Sequence, residues 1–168
     1  MKPKEHIKSI VFTALFAAMI TVMTAYVCHI QTATGYIHFG DGLIFLAACF
    51  LPKGYGVAAA AIGGGVADLL TYPSWTLPTI IIKGLMALPF SNKSTKILTA
   101  RNLISMGIAV VINTVGYFVA GAIFAGNFTT PIADIPSSLI QDAGSIVIFV
   151  VVAFALEKTG LKKQFTIQ

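Results

Sequence analysis

The chain has 168 residues, of which 57% are hydrophobic and 10% charged, with a formal net charge of +5. A soluble domain carries about 25% charged residues, so this composition excludes an ordinary soluble protein and indicates one embedded in a lipid bilayer. Positive charge beside a membrane usually serves topology and contact with anionic lipid. The excess of basic residues therefore does not predict binding of nucleic acid.

Apolar segments divide the chain into six predicted spans. The first is too long for a signal peptide and lacks a cleavage site, so we expect it to be retained. The second and third are thin for a bilayer crossing, which needs about 20 residues. Six spans leave no room for a soluble part, so residues 1–168 form a single membrane domain. The spans run from about Ser9 to Ile30, Asp41 to Leu51, Tyr55 to Leu70, Thr76 to Phe90, Leu103 to Ala125 and Ser137 to Leu156.

The connections between the spans alternate between those that carry Lys or Arg and those that carry neither. Because cytoplasmic connections retain Lys and Arg, this alternation predicts an all-α membrane protein with six transmembrane helices and both termini in the cytoplasm. Lys83 is the exception, since it lies within the fourth span. The remaining basic residues are Lys2, Lys4, Lys8, Lys53, Lys93, Lys96, Arg101, Lys158, Lys162 and Lys163.

Small residues concentrate on particular spans. The Ala- and Gly-rich third span and the fifth span indicate tight packing inside the bundle, because small side chains let helix backbones approach closely in lipid. Ala14 and Ala18 lie one turn apart in the first span and predict a flat face that could be offered to another protein. Cys28 and Cys49 are interpreted as small buried side chains.

Polar side chains gather at the predicted outer ends of the spans, whereas the inner half is nearly free of them. Intramembrane polar groups are costly and therefore indicate function. Their convergence predicts an outward-facing pocket for a small, flat, largely polar molecule. The candidate binding residues are Tyr36, His38, Asp68, Tyr72, Trp75, Thr79, Lys83, Asn113, Tyr117, Gln141 and Asp142, with Asp41 and Thr76 at the same level.

Several of these residues have a structural alternative. Tyr72 and Trp75 are also typical of interfacial anchors. Asp68 and Lys83 would form an internal ion pair if spans three and four adjoin there, or the Lys83 stem would snorkel to the surface. Asp41 suits the N-terminus of the second span, where a carboxylate is favourable.

Asn113 lies in mid-span and suits either a helix–helix hydrogen bond or a ligand contact. Gln141 and Asp142 are adjacent polar residues one turn into the sixth span, which is more than capping requires.

Catalytic patterns are missing from the sequence. The histidines have no metal-ligand spacing, and there is no phosphate-binding G-x-x-x-x-G-K-[ST] loop. We therefore expect no enzyme activity, no metal and no cofactor in this chain. A stand-alone channel or secondary carrier remains an alternative, although the chain lacks the two related halves common in carriers.

The segment from Gly35 to Ala48, GYIHFGDGLIFLAA, is followed by the Ala/Gly-rich span, by Ala67-Asp68-Leu69-Leu70, by Tyr72-Pro73-Ser74-Trp75 and by Ile80-Ile81-Ile82-Lys83-Gly84-Leu85. This series resembles the substrate-binding S component of energy-coupling factor (ECF) vitamin transporters.

The resemblance implies a six-helix binder of a vitamin or precursor in the bacterial plasma membrane. Its partners would be a transmembrane coupling (T) subunit and two cytoplasmic ATPase subunits, which hydrolyse the ATP. Positions matching Ala14 and Ala18 would contact the T subunit, and the connection from about Gln31 to Gly40 would help cover the site. The block from Tyr36 to Gly84 is similar to members assigned to hydroxymethylpyrimidine or pyridoxine. Riboflavin is an alternative, and so is pantothenate if Lys83 receives its carboxylate.

Overall fold

The computed structural model of the chain describes residues 3–27, 29–31 and 36–164. Cys28 lies outside the described residues. So do residues 32–35, which belong to the connection predicted to cover the binding site. The α-helices are α1 (Pro3–Ala25), α2 (Asp41–Phe50), α3 (Lys53–Thr71), α4 (Thr76–Ala87), α5 (Ala100–Ala125) and α6 (Ile135–Thr159).

The predicted all-helical architecture is correct, with one addition between α1 and α2. Strand β1 (Ile30–Gln31) pairs antiparallel with strand β2 (Tyr36–Ile37), and Ile30 lies opposite Ile37. Strands of two residues are too short to show an alternating hydrophobic pattern, so the sequence did not predict this hairpin. It lies at one end of the helix bundle, which we call the hairpin end.

Capping residues mark the start of α5 and the ends of α5 and α6. The Thr99 side chain accepts a hydrogen bond from the backbone N–H of Asn102 and caps the start of α5. Gly126 and Gly160 follow α5 and α6 with a φ of +67° each. Glycine adopts this left-handed conformation without a steric penalty and commonly terminates a helix.

Helix α1 begins at Pro3, before the predicted start at Ser9, and ends at Ala25 instead of Ile30. Hydropathy marks the part of a helix that suits hydrocarbon, whereas the helix itself continues through the polar residues Lys4 to Lys8. Its end is displaced because the chain turns into the β-hairpin.

Within the described part of the chain, four segments are long and apolar enough to cross a membrane: Pro3–Ala25, Lys53–Thr71, Ala100–Ala125 and Thr130–Thr159. Helix α2 has 10 residues and α4 has 12, which is short of the roughly 20 that a full crossing needs. The sequence predicted that the second and third spans are the short ones. This prediction is wrong for the third span, α3, and the other short helix is α4. Helix α3 reaches 19 residues because it includes Lys53, Gly54 and Thr71.

Helix α3 packs closely on both α1 and α4 through its glycines. A Cβ built on Gly63 would lie 2.8 Å from the Ala17 carbonyl oxygen, and one on Gly64 would lie 2.9 Å from Cγ of Lys83. On α5, a Cβ on Gly116 would lie 2.8 Å from Ile82. The small residues of α3 and α5 thus serve close helix packing, as predicted.

Replacement of Gly63 by leucine is expected to destabilise the protein, because the new side chain would collide with α1. Overpacking of this kind costs about 1–3 kcal/mol. Gly107→Leu on α5 is the matched control, since nothing lies within 4 Å of a Cβ at that position. Thermal unfolding in detergent measures both variants, and equal melting temperatures would contradict this packing.

The end of the bundle opposite the hairpin is held by hydrogen bonds to the α4–α5 connection. The Glu157 carboxylate on α6 accepts from the backbone N–H groups of Ile97 and Leu98, at 2.5 and 2.8 Å. The Asn102 side chain donates to the carbonyl oxygens of Ser91 and Ile97. These contacts fix the connection that carries Lys93 and Lys96.

Candidate functional site

A cavity of about 110 Å³ lies at the hairpin end. Helices α3, α5 and α6, strand β2 and two 3₁₀ turns, Pro73–Trp75 and Thr130–Asp134, contribute its walls. Its described lining residues are Tyr36, Ile37, His38, Asp68, Tyr72, Trp75, Asn113, Thr114, Tyr117, Phe118, Pro131, Asp134, Ile135, Ser137, Ser138 and Gln141.

Most of the predicted binding residues meet at this cavity. Three of them, Thr79, Lys83 and Asp142, do not line it but lie directly behind the wall. They are buried, and each is hydrogen-bonded to a lining residue. Their contacts therefore position the residues that face the cavity. The predicted residues that line it are Tyr36, His38, Asp68, Tyr72, Trp75, Asn113, Tyr117 and Gln141.

Asp68, near the end of α3, accepts hydrogen bonds from two hydroxyl groups, and a third hydroxyl contacts one of these two. The Tyr36 hydroxyl donates to Oδ1 of Asp68, and the Thr79 hydroxyl donates to Oδ2. The Tyr117 hydroxyl lies 2.7 Å from Oγ1 of Thr79. Because the single Thr79 proton is used on Asp68, Tyr117 is the donor in that contact.

Lys83 forms a buried ion pair with Asp41. Its Nζ lies 2.8 Å from Oδ1 and 3.0 Å from Oδ2 of Asp41, and it donates to Oδ1 of Asn113 at 2.9 Å. Its side chain is 1% exposed. The predicted Asp68–Lys83 pair and the snorkelling alternative are therefore both wrong, because α2 and α5 place better acceptors beside the ammonium group.

Two side-chain amides connect the cavity wall to this ion pair. Nδ2 of Asn113 donates to Oδ1 of Asp142 at 2.9 Å. Nε2 of Gln141 donates to Oδ2 of Asp41 at 3.1 Å, while its Oε1 accepts from the backbone N–H of His38 at 3.3 Å. Gln141 thus links α6, the start of α2 and the connection after β2.

Aromatic rings form much of the remaining wall. The Trp75 ring lies 5.6 Å from the Tyr117 ring and makes an edge contact of 5.0 Å with Phe124. The Tyr36 ring stacks on His29 at 4.1 Å. Trp75 is half-buried and lines the cavity. Its ring can therefore contact a ligand, which a purely interfacial anchor on the outer surface could not do.

The cavity wall contributed by the connection before α6 was not predicted from the sequence. Oδ1 of Asn127 accepts from the backbone N–H groups of Thr129 and Thr130, at 3.1 and 2.8 Å. This turn folds the 3₁₀ segment back so that Pro131 lies against Gly121 and Asp134 reaches the cavity. The Asn-x-Thr-Thr-Pro pattern is a turn signal that would have indicated the fold-back.

The comparison with known families decides the identity of the chain. A family model described as "ECF-type riboflavin transporter, S component" matches residues 4–158, nearly the whole sequence. The chain belongs to this family. It is also 29% identical over 143 residues to a Pyrococcus woesei protein described as "Uncharacterized protein in gap 3'region", covering 83% of this chain and 95% of that protein.

Membership makes the chain an S component, a multi-pass membrane protein with a transport role and not an enzymatic one. S components bind a small-molecule substrate and work with a T component and ATPases. Among the residues that the structure describes, no group of His, Cys, Asp and Glu is arranged to hold a metal ion.

A second concave surface of the S component runs along α1 and α3. It contains Ala14 and Ala18 and is almost entirely apolar, and both alanines are exposed. The small-residue face predicted from their spacing is thus exposed, but it forms part of a concave surface and is not flat. Its other described lining residues are Ile10, Thr13, Ala17, Thr21, Tyr55, Ala58, Ile62 and Val66.

Proposed function

We propose that this S component captures a vitamin or vitamin precursor at the outer face of the plasma membrane and delivers it through an ATP-driven ECF complex. The observation that carries the proposal is the cavity at the hairpin end, where aromatic rings and hydrogen-bonding groups surround a space large enough for a small ring. The connections beside it, before α2, α4 and α6, contain no Lys or Arg.

The orientation follows from the same distribution of charge. At the opposite end, Lys93 and Lys96 lie on the α4–α5 connection, Lys53 begins α3 and Lys158 lies in the last turn of α6. The positive-inside rule therefore puts that end in the cytoplasm. We propose six crossings with both termini inside. The short helix α2 is compatible with this arrangement, because it is almost completely buried among its neighbours and need not face lipid along its length.

For the substrate, we propose hydroxymethylpyrimidine or pyridoxine first and riboflavin second. A cavity of about 110 Å³ is small beside the roughly 300–1,000 Å³ of clefts for drug-sized ligands, which favours one ring over the three fused rings of a flavin. Riboflavin is favoured by the description of the family. Pantothenate is disfavoured because Lys83, the cation proposed for its carboxylate, is already paired with Asp41.

A vitamin panel tests the proposed function. The purified chain is expected to be stabilised against heat by one of these compounds, and cells or liposomes should take that compound up only when the T and ATPase subunits are present. Uptake into liposomes that contain this chain alone would instead support a stand-alone channel or carrier. Absence of both binding and uptake would overturn the proposal.

Replacement of Trp75 by alanine is expected to weaken binding of the stabilising vitamin by about 1–3 kcal/mol, the cost of losing an aromatic ring that stacks on a base. Tyr26→Ala is the control, because Tyr26 is 68% exposed and does not line the cavity. Titration calorimetry of both variants measures the difference. Equal affinities would return Trp75 to the role of an interfacial anchor.

A further inference from the structure

The charged groups around the cavity are unevenly distributed. Asp68 and Asp134 line it, whereas none of its described lining residues is Lys or Arg. Behind the wall, Asp41 and Asp142 accompany a single ammonium group, that of Lys83. Carboxyl groups therefore outnumber cationic groups both at the surface of the cavity and in the layer beneath it.

Lys83 has no capacity left for a ligand. Its ammonium group carries three protons, and it already lies within 3.0 Å of both oxygens of Asp41 and 2.9 Å from Oδ1 of Asn113. The Tyr117 ring lies on another side, with its centroid 5.1 Å from Nζ. An anionic ligand in the cavity would have to compete with Asp41 for this cation.

His38 is not a cation that could bind an anionic ligand in place of Lys83. It is 5% exposed in the connection between β2 and α2, and its Nδ1 accepts a hydrogen bond from the backbone N–H of Gly40. Burial lowers the pKa of His38 to about 4. The imidazole is therefore neutral at physiological pH, with its proton on Nε2.

Three hydroxyl protons around Asp68 are already committed, whereas Oγ1 of Thr114, which also lines the cavity, has no hydrogen-bond partner among the described residues. Tyr36 and Thr79 donate to Asp68, and Tyr117 donates to Thr79. What these hydroxyl groups still offer is lone pairs. Oδ2 of Asp142, behind the wall, also has no hydrogen-bond partner in the part of the chain that the structure describes. Around Asp68 the site therefore offers mainly hydrogen-bond acceptors, which suits a ligand that donates there.

The aromatic walls agree with this charge distribution. Trp75, Tyr36 and Tyr117 present rings around the same space. The face of an aromatic ring carries partial negative charge and attracts a cation, most strongly when water is excluded. Such rings also stack on a flat heterocycle, so a ring that bears positive charge satisfies both features of the wall.

We propose that the cavity selects a heteroaromatic cation that donates hydrogen bonds, with its positive charge directed to Asp68 and its ring against Trp75. This inference rests on the proposed function and, on grounds of charge, ranks a cationic ring ahead of the neutral pyridoxine and riboflavin that cavity size and the family description favour. Neutral rings of the same size bind more weakly, and carboxylate-bearing rings are rejected, because no free cation meets them and Asp68 repels them.

Two series of probes test the proposal on the purified full chain by titration calorimetry. Pyridoxamine, pyridoxine and 4-pyridoxate share one ring and are cationic, neutral and anionic at neutral pH; thiamine, riboflavin and pantothenate cover larger compounds in the same order of charge. A charge-assisted hydrogen bond changes affinity by about ten- to one-hundred-fold. We expect pyridoxamine or thiamine to be the tightest ligand. Its affinity should exceed that of the neutral compound in the same series by about ten- to one-hundred-fold.

The variant Asp68→Asn keeps the size of the side chain and removes its charge. We expect it to weaken the cationic ligand about tenfold or more and pyridoxine less than about threefold. Tightest binding of riboflavin, pyridoxine or an anion overturns the inference about charge but leaves the proposed function standing. Absence of binding by all six compounds overturns the inference about charge, and the proposed function is overturned as well if hydroxymethylpyrimidine also fails to bind. If the variant fails to fold, the order in which the unmodified chain binds the six compounds still tests the inference about charge.

Discussion

Replacement of Lys83 by methionine is expected to destabilise the protein by about 3–5 kcal/mol, because it leaves the buried Asp41 carboxylate without its ion-pair partner. The lost ammonium group also holds Oδ1 of Asn113 at 2.9 Å, so the cavity wall on α5 should loosen. Thermal or denaturant unfolding in detergent measures the loss, and ligand affinity should fall with it.

Two further variants separate charge from bulk at this position. Lys93→Met removes an exposed lysine from the α4–α5 connection and should have little effect. The double variant Asp41→Asn with Lys83→Met removes both charges and should recover part of the stability, since an uncompensated buried charge is the main cost. If Lys83→Met is as stable as Lys93→Met, the ion pair does not hold α2 and α4 together.

Replacement of Ala14 or Ala18 by tryptophan is expected to abolish uptake while leaving ligand binding unchanged. Both alanines lie on the apolar groove of α1 and α3, away from the cavity. A large side chain there would prevent close approach of a partner helix, which depends on small residues in lipid. Binding by the purified chain and uptake by the assembled complex measure the two effects separately.

Leu15→Trp provides the matched control for this groove. Leu15 is 51% exposed on α1 but does not line the groove, so the same bulk at this position should leave uptake intact. Normal uptake by Ala14→Trp and Ala18→Trp would show that the T subunit approaches another surface. Loss of binding in these variants would show that α1 supports the cavity.

Much of the helical architecture could be predicted from hydropathy, because a helix in lipid must satisfy its own backbone and present apolar side chains. The start of α2 at Asp41, the start of α4 at Thr76 and the end of α5 at Ala125 agree with the predicted boundaries. The ends of α1 differ, since helix formation continues into the polar residues at its start and the β-hairpin shortens it at the other end.

Some of the residues that line the cavity could also be predicted from the sequence. Polar side chains in a membrane span are costly, so Asp68, Asn113 and Gln141 stood out without any structure. The wall around Pro131 and Asp134 did not, because it depends on a turn at Asn127 that brings a connecting segment back over α5.

The sequence by itself determined that this chain is a bundle of membrane helices with charge on one set of connections and polar groups at the other end, because hydrophobicity and charge are properties of individual residues. Only the tertiary structure decided which polar groups meet. Lys83 pairs with Asp41, 42 residues away, and Asp68 receives Tyr36 and Thr79 instead. The choice between two carboxylates for one ammonium group depends on distances of a few ångströms between helices, which no pattern along the chain contains.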